Sequence, residues 1–73
     1  MTYIVKFINA KKENPCGSEW TRIIKDLKTI RGVENRITRG VKPVGAVGYN
    51  IYQTANIYDE KSYRLMQKVY FTN

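Results

Sequence analysis

Tyrosines and cations recur together toward the end of this sequence. Asn50, Tyr52, Thr54, Asn56 and Tyr58 alternate along one segment, and Arg64, Met66, Lys68 and Tyr70 along the next. Read as two paired strands, these residues share one outer face. Rings on a sheet can stack on unpaired bases while Lys and Arg meet phosphates, which is the chemistry of single-strand nucleic-acid binding. The same pattern also suits an ordinary strand, because Tyr packs well on a pleated surface and its hydroxyl tolerates water.

Two further basic groups precede these. Arg31, Arg36, Arg39 and Lys42 are offset only by Glu34, and they run into a stretch containing Gly40, Gly45 and Gly48. Cations that meet phosphates release counterions, which gives affinity without sequence preference. Glycines let the backbone approach a groove closely. Arg22, Lys25 and Lys28 form the third group, on the polar side of a segment with helical spacing. They suit a phosphate backbone, an acidic protein or plain solvent.

Other chemistry is excluded. The chain has no His and one Cys. The commonest general base is therefore missing, as are an internal disulfide and a structural zinc site. Cys16 stands beside Gly17 near a helix start, but without a His partner it reads as a small loop residue. Gly40 and Gly45 have the spacing of a phosphate-binding loop, yet Ala46 and Val47 stand where that loop needs Lys and Ser or Thr. Asp59 and Glu60 are adjacent in a turn and read as a solubilising tip. We expect no catalytic residue, no metal, no cofactor and no enzymatic activity.

The elements that must carry these groups follow from periodicity. With 73 residues there is room for one core, so residues 1–73 are expected to form a single domain. Residues 2–9 are β-branched and aromatic and predict a strand. Ala10 to Gly17, with Asn14-Pro15-Cys16-Gly17, predicts a loop. Over residues 18–31, Trp20, Ile23, Ile24, Leu27 and Ile30 follow the stripe of an amphipathic helix. Ser18 suits its N-cap and Gly32 its stop. Residues 33–48 predict a basic, glycine-containing loop, with Arg36–Arg39 as a short strand candidate.

Residues 49–71 predict a hairpin turning at Asp59-Glu60-Lys61. Matching apolar faces sets its register: Ile57 with Tyr63, Ala55 with Leu65, Gln53 with Gln67, Ile51 with Val69 and Tyr49 with Phe71. Tyr52 then lies opposite Lys68. A helical alternative over residues 60–71 has Asp59 as N-cap and Tyr63, Met66 and Val69 or Tyr70 at helical spacing.

The fold class is thus α+β. We expect a β-α-β-β(-β) order, with a mostly antiparallel sheet of three or four strands and one helix on one face. Trp20, Ile23, Ile24, Leu27 and Ile30 should pack on Val5, Phe7, Ile51, Ile57, Leu65, Val69 and Phe71.

The net charge is +7, so polyanions are the first partners to consider. The leading expectation is a small basic nucleic-acid-binding accessory protein. Its contacts would be Arg22, Lys25, Lys28, Arg36, Arg39, Lys42, Tyr52, Arg64, Lys68 and Tyr70. The alternative is a protein-interaction module or inhibitor of phage or mobile-element type. It would dock on an acidic surface of a larger host protein or nucleoprotein complex, such as a nuclease or defence complex. No run of about 18 apolar residues is present, so no membrane span is expected. The N-terminus lacks secretory patterning, which points to the cytoplasm. An exposed β face with an edge strand is compatible with a homodimer.

Overall fold

A computed structural model of the chain describes residues 1–11 and 19–71. Its elements are β1 (Thr2–Asn9), β2 (Thr21–Ile24), α1 (Ile30–Arg39), β3 (Ala46–Thr54), a 3-10 turn (Glu60–Ser62) and β4 (Arg64–Tyr70). The four strands form one antiparallel sheet in the order β2-β1-β3-β4. The helix lies on one face. The α+β class and the four-stranded sheet with one helix agree with expectation, whereas the chain order is β-β-α-β-β.

β1 covers the residues anticipated from its pattern. Tyr3, Val5 and Phe7 are buried on the helix side. Ile4, Lys6 and Ile8 fall on the opposite face by alternation. Hydrogen-bonded neighbours flank β1 on both sides, and Ile4 on its open face is buried.

Of the helix expected over residues 18–31, only Ile30 and Arg31 are helical among the described residues, as the start of α1. Thr21–Ile24 is a strand paired with Tyr3–Lys6, and Phe7 N–H donates to the Trp20 carbonyl at 2.8 Å. Trp20 and Ile24 are four residues apart, so they share a face in a helix and also in a strand. Here they enter the core from a strand, Trp20 just ahead of β2 and Ile24 at its end. Ile23, on the other side of the strand, is 51% exposed. The β-branched Thr21, Ile23 and Ile24 favour the extended form. The Ser18 cap and the Cys16 loop lie outside the described residues.

The helix forms instead mostly in the stretch 33–48 expected to be a loop, whose last residues, Ala46, Val47 and Gly48, belong to β3. Thr29 is the N-cap of α1, and its Oγ1 accepts the Gly32 N–H at 3.1 Å. Gly32 thus sits in the first turn and does not stop the helix. Ile30, Val33 and Ile37 supply the buried stripe, and Arg36 and Arg39 lie in the last turn, favourably placed against the negative end of the dipole. The chain stops being helical at Gly40, whose N–H returns to the Arg36 and Ile37 carbonyls. Arg36–Arg39 is helical, so the short strand considered there does not form. Gly45 turns the chain into β3 with φ of +91°, a conformation glycine adopts without steric cost.

β3 and β4 pair as expected in kind but not in register. Tyr49 lies opposite Val69 and Ile51 opposite Gln67, a slip of two residues that preserves the faces. A bulge between Ile51 and Tyr52 then places Tyr52 opposite Leu65 and Gln53 opposite Arg64, leaving Met66 as the extra residue. The turn is also longer, spanning residues 55–63. The buried Thr54 organises it. Its Oγ1 accepts the Asn56 N–H at 3.1 Å and lies 2.6 Å from the Ser62 hydroxyl. Asp59 caps only the 3-10 turn, so the helical alternative is confined to residues 60–62.

The core joins Tyr3, Val5, Phe7, Trp20, Ile24, Val33, Ile37, Tyr49 and Ile51. Leu27, Ile30, Ala46, Val69 and Phe71 pack against it. Ile57 and Leu65, expected here, are not among them. Ile57 sits half-buried in the long turn, and the bulge turns Leu65 to the other face, 51% exposed.

Candidate nucleic-acid interface

The face without a helix is the place where rings and cations meet. Its rows follow from the pairing. One row reads Ile23, Ile4, Tyr52, Leu65. The next reads Thr21, Lys6, Asn50, Lys68. The last reads Ile8, Gly48, Tyr70. Lys68 is exposed, and Tyr70 is 57% exposed.

Opposite Tyr70 stands Gly48, which has no side chain to compete with the ring. A Cβ on Gly48 would stand 3.2 Å from the Tyr70 ring and only 2.3 Å from the Val69 carbonyl oxygen. The strands therefore approach closely at Gly48, and one edge of the Tyr70 ring reaches the space a side chain would take. Tyr70 is more than half exposed, so its ring is open to a stacking partner and can serve as a platform.

Tyr52 has a different setting. The 55–63 turn folds back over this part of the sheet and brings Tyr63 to Tyr52, with ring centroids 6.0 Å apart and a 43° tilt. Lys6 Nζ stands 5.8 Å from the Tyr52 centroid and 5.4 Å from that of Tyr63. Glu60 pairs with Lys6 at 3.6 Å. The Tyr63 hydroxyl donates to the Ile57 carbonyl at 2.5 Å, which secures the turn. Tyr52 and Tyr63 are each half-buried. Ile4 beneath is 1% exposed. Asn50 lies between Lys6 and Lys68 with its Oδ1 buried and accepting no hydrogen bond from the described residues.

The other residues singled out from the sequence are placed elsewhere. Arg64 is opposite Gln53, so the bulge moves it off the face of Tyr52, Lys68 and Tyr70. Arg22 is on β2 and not on a helix. Its guanidinium lies 5.1 Å from the Phe7 ring centroid and donates to the Val41 carbonyl at 2.8 Å. Lys25 and Lys28 are exposed in the β2–α1 connection and border a depression of about 330 Å³ with Met1, Tyr3, Leu27 and Gln53. The helical face expected to unite Arg22, Lys25 and Lys28 does not exist.

Arg36 makes two 2.7 Å hydrogen bonds to Asp26. The guanidinium holds the Asp26 carboxyl below its ordinary pKa, helped by a backbone hydrogen bond. Arg39 and Arg36 border a shallow depression of about 490 Å³ with Leu27, Gly32, Asn35 and Gly40. Lys42 Nζ donates to the Thr38 carbonyl at 3.4 Å and lies 5.8 Å from the Phe71 centroid.

The cations are thus divided between two sides of the sheet. Lys6 and Lys68 are on the open face, and Arg31, Arg36 and Arg39 are on the helix side. Lys6, Tyr63 and the close strand approach at Gly48 were not singled out from the sequence. The alternation of β1 placed Lys6 on the face opposite Val5, which is the signal that would have found it. Nothing local marked Tyr63.

Among the described residues, no group of three His, Cys, Asp or Glu side chains is placed to hold a metal. No helix among them is long and apolar enough to cross a membrane. No family model, no curated protein and no solved structure matches the chain.

Proposed function

We propose that the protein binds single-stranded nucleic acid on its open sheet face. The observation that carries this reading is the Tyr70 platform beside Lys68 on a face no helix covers. A base stacks on the exposed side of the Tyr70 ring, and Lys68 meets the adjoining phosphate. Tyr52, Tyr63 and Lys6 continue the surface toward β1, where Lys6 is already engaged by two rings and Glu60. The overall charge of +7 draws the polyanion in.

Anisotropy of a labelled random single strand and of a random duplex, titrated with salt, tests this. The single strand is expected to bind more tightly, with affinity falling linearly against salt on logarithmic axes. Tyr70→Ala should weaken single-strand binding by about 1–3 kcal/mol, the usual worth of one stacked base. Duplex binding should change little. Absence of binding at low salt would overturn the proposal.

A protein partner is the second reading, and Ile23 and Leu65 favour it. Both are 51% exposed on the same face and would suit an apolar contact rimmed by acidic groups. Such an interface loses less affinity with salt than phosphate contacts do, so the same titration separates the two.

A further inference from the structure

We infer that the helix side is a second, separate surface for a phosphate backbone, so that one molecule bridges two nucleic-acid strands. This rests on the nucleic-acid reading above. Three observations lead to it.

The first is where the carboxylates go. On the helix side, Asp26 is occupied by both hydrogen bonds from Arg36. Glu34 accepts from the Gln67 amide at 3.0 Å on the flank toward β4. Arg31 and Arg39 are exposed, and neither has a carboxylate partner among the described residues.

The second is alignment. Arg31, Asn35 and Arg39 follow i, i+4, i+8 spacing, one row on the helix surface. Val33 and Ile37 are buried against the sheet, so this row points away from it. At 1.5 Å rise per residue, the two arginines are about 12 Å apart along the axis. Arg39 also borders the depression beside Arg36 and Asn35, where the Asn35 amide adds a neutral donor beside the charges. The exposed positions of the helix hold no ring. This surface therefore suits phosphates and not bases.

The third is geometry. The open face and the helix row lie on opposite sides of the sheet, across a body whose Cα extents are 32 × 23 × 18 Å. A strand stacked on Tyr70 lies on the side away from Arg31 and Arg39. A second strand is the occupant with the matching charge for the helix side.

The test mixes donor-labelled and acceptor-labelled oligothymidylate strands, which cannot pair with each other, and reads energy transfer as protein is added. Anisotropy on each strand is followed in parallel. Wild-type protein should produce transfer when strands outnumber protein and lose it in excess protein, where each strand has its own molecule. Arg31→Gln/Arg39→Gln should keep strand binding through the sheet face and lose the transfer. Its salt slope should be lower by about 1.4, about 0.7 for each phosphate contact to a single strand removed. Tyr70→Ala should weaken the strand binding itself. Strand binding by the wild type without transfer overturns the inference and leaves the sheet-face reading standing. So does transfer that survives in Arg31→Gln/Arg39→Gln, which would place bridging in a second copy of the chain. No strand binding at all overturns both.

Discussion

Gly48 is where two backbones and a ring compete for the same space. An added Cβ would stand 2.3 Å from the Val69 carbonyl oxygen and 3.2 Å from the Tyr70 ring. The first of these is backbone in a paired strand, so the strand must move. Gly48→Ala is expected to cost about 1–3 kcal/mol, the range for overpacking. It should lower the urea midpoint at unchanged slope. An unchanged midpoint would mean that β4 is loosely attached and that Tyr70 has no fixed platform.

Asp26 gives a second prediction at this scale. Its pKa is held below the ordinary value, first by the Arg36 hydrogen bonds. A carboxyl with a lowered folded pKa contributes stability above its unfolded pKa and loses that contribution as pH falls through the folded value. Thermal melts between about pH 5 and pH 2 should show a decline that Asp26→Asn makes shallower, by a small amount because exposed pairs are worth little. Identical pH profiles for the two proteins would remove the pair from the stability balance.

At the level of elements, the helix depends on its cap. Its first turn has no acidic residue to meet the dipole, and Gly32 within it costs about 1 kcal/mol against Ala. The Thr29 hydroxyl, accepting from Gly32, is the compensating local contact. Thr29→Ala should destabilise the protein by about 1 kcal/mol, measured by denaturant unfolding. Thr29→Ser should restore most of it. A loss of far-UV helical signal in Thr29→Ala before global unfolding would show that the helix frays on its own. These local facts also explain what was hard to read. Thr29, Ile30, Val33 and Ile37 carry a cap and a stripe, but Gly32 among them reads as a stop. The apolar spacing at Trp20 and Ile24 fits both periods. Only the pairing of Thr21–Ile24 with β1 selects the strand.

Across the whole molecule, charge is the dominant feature. Among the described cationic side chains only Lys6 and Arg36 form ion pairs with carboxylates, while the chain carries a net +7. Like charges held in a compact body repel, and salt screens them. The melting temperature should therefore rise from about 20 mM to about 200 mM NaCl, over which the Debye length shortens well below the size of the protein. Binding of a single strand should weaken over the same interval. A melting temperature that falls with salt would mean that attractive pairs outweigh the repulsion.

The sequence by itself determined the class of the protein. Its alternating β-branched and aromatic runs required strands at residues 2–9 and after residue 48, and its charge and lack of His set the kind of partner to expect. The outward placement of Tyr52, Lys68 and Tyr70 was also legible, because a slip of two residues leaves a strand's faces unchanged. Tertiary structure decided the rest. Whether residues 21–24 coil or extend depends on the free edge of β1, a contact between segments distant in sequence. The bulge at Ile51/Tyr52, which removes Arg64 from the ring face, answers to the long turn that Thr54 organises through Asn56 and Ser62. The division of cations between two faces follows from the helix forming after β2. Periodicity reports which side chains share a face within a segment. Which faces then meet is settled by pairing and burial between segments, where the free energy of a small core is decided.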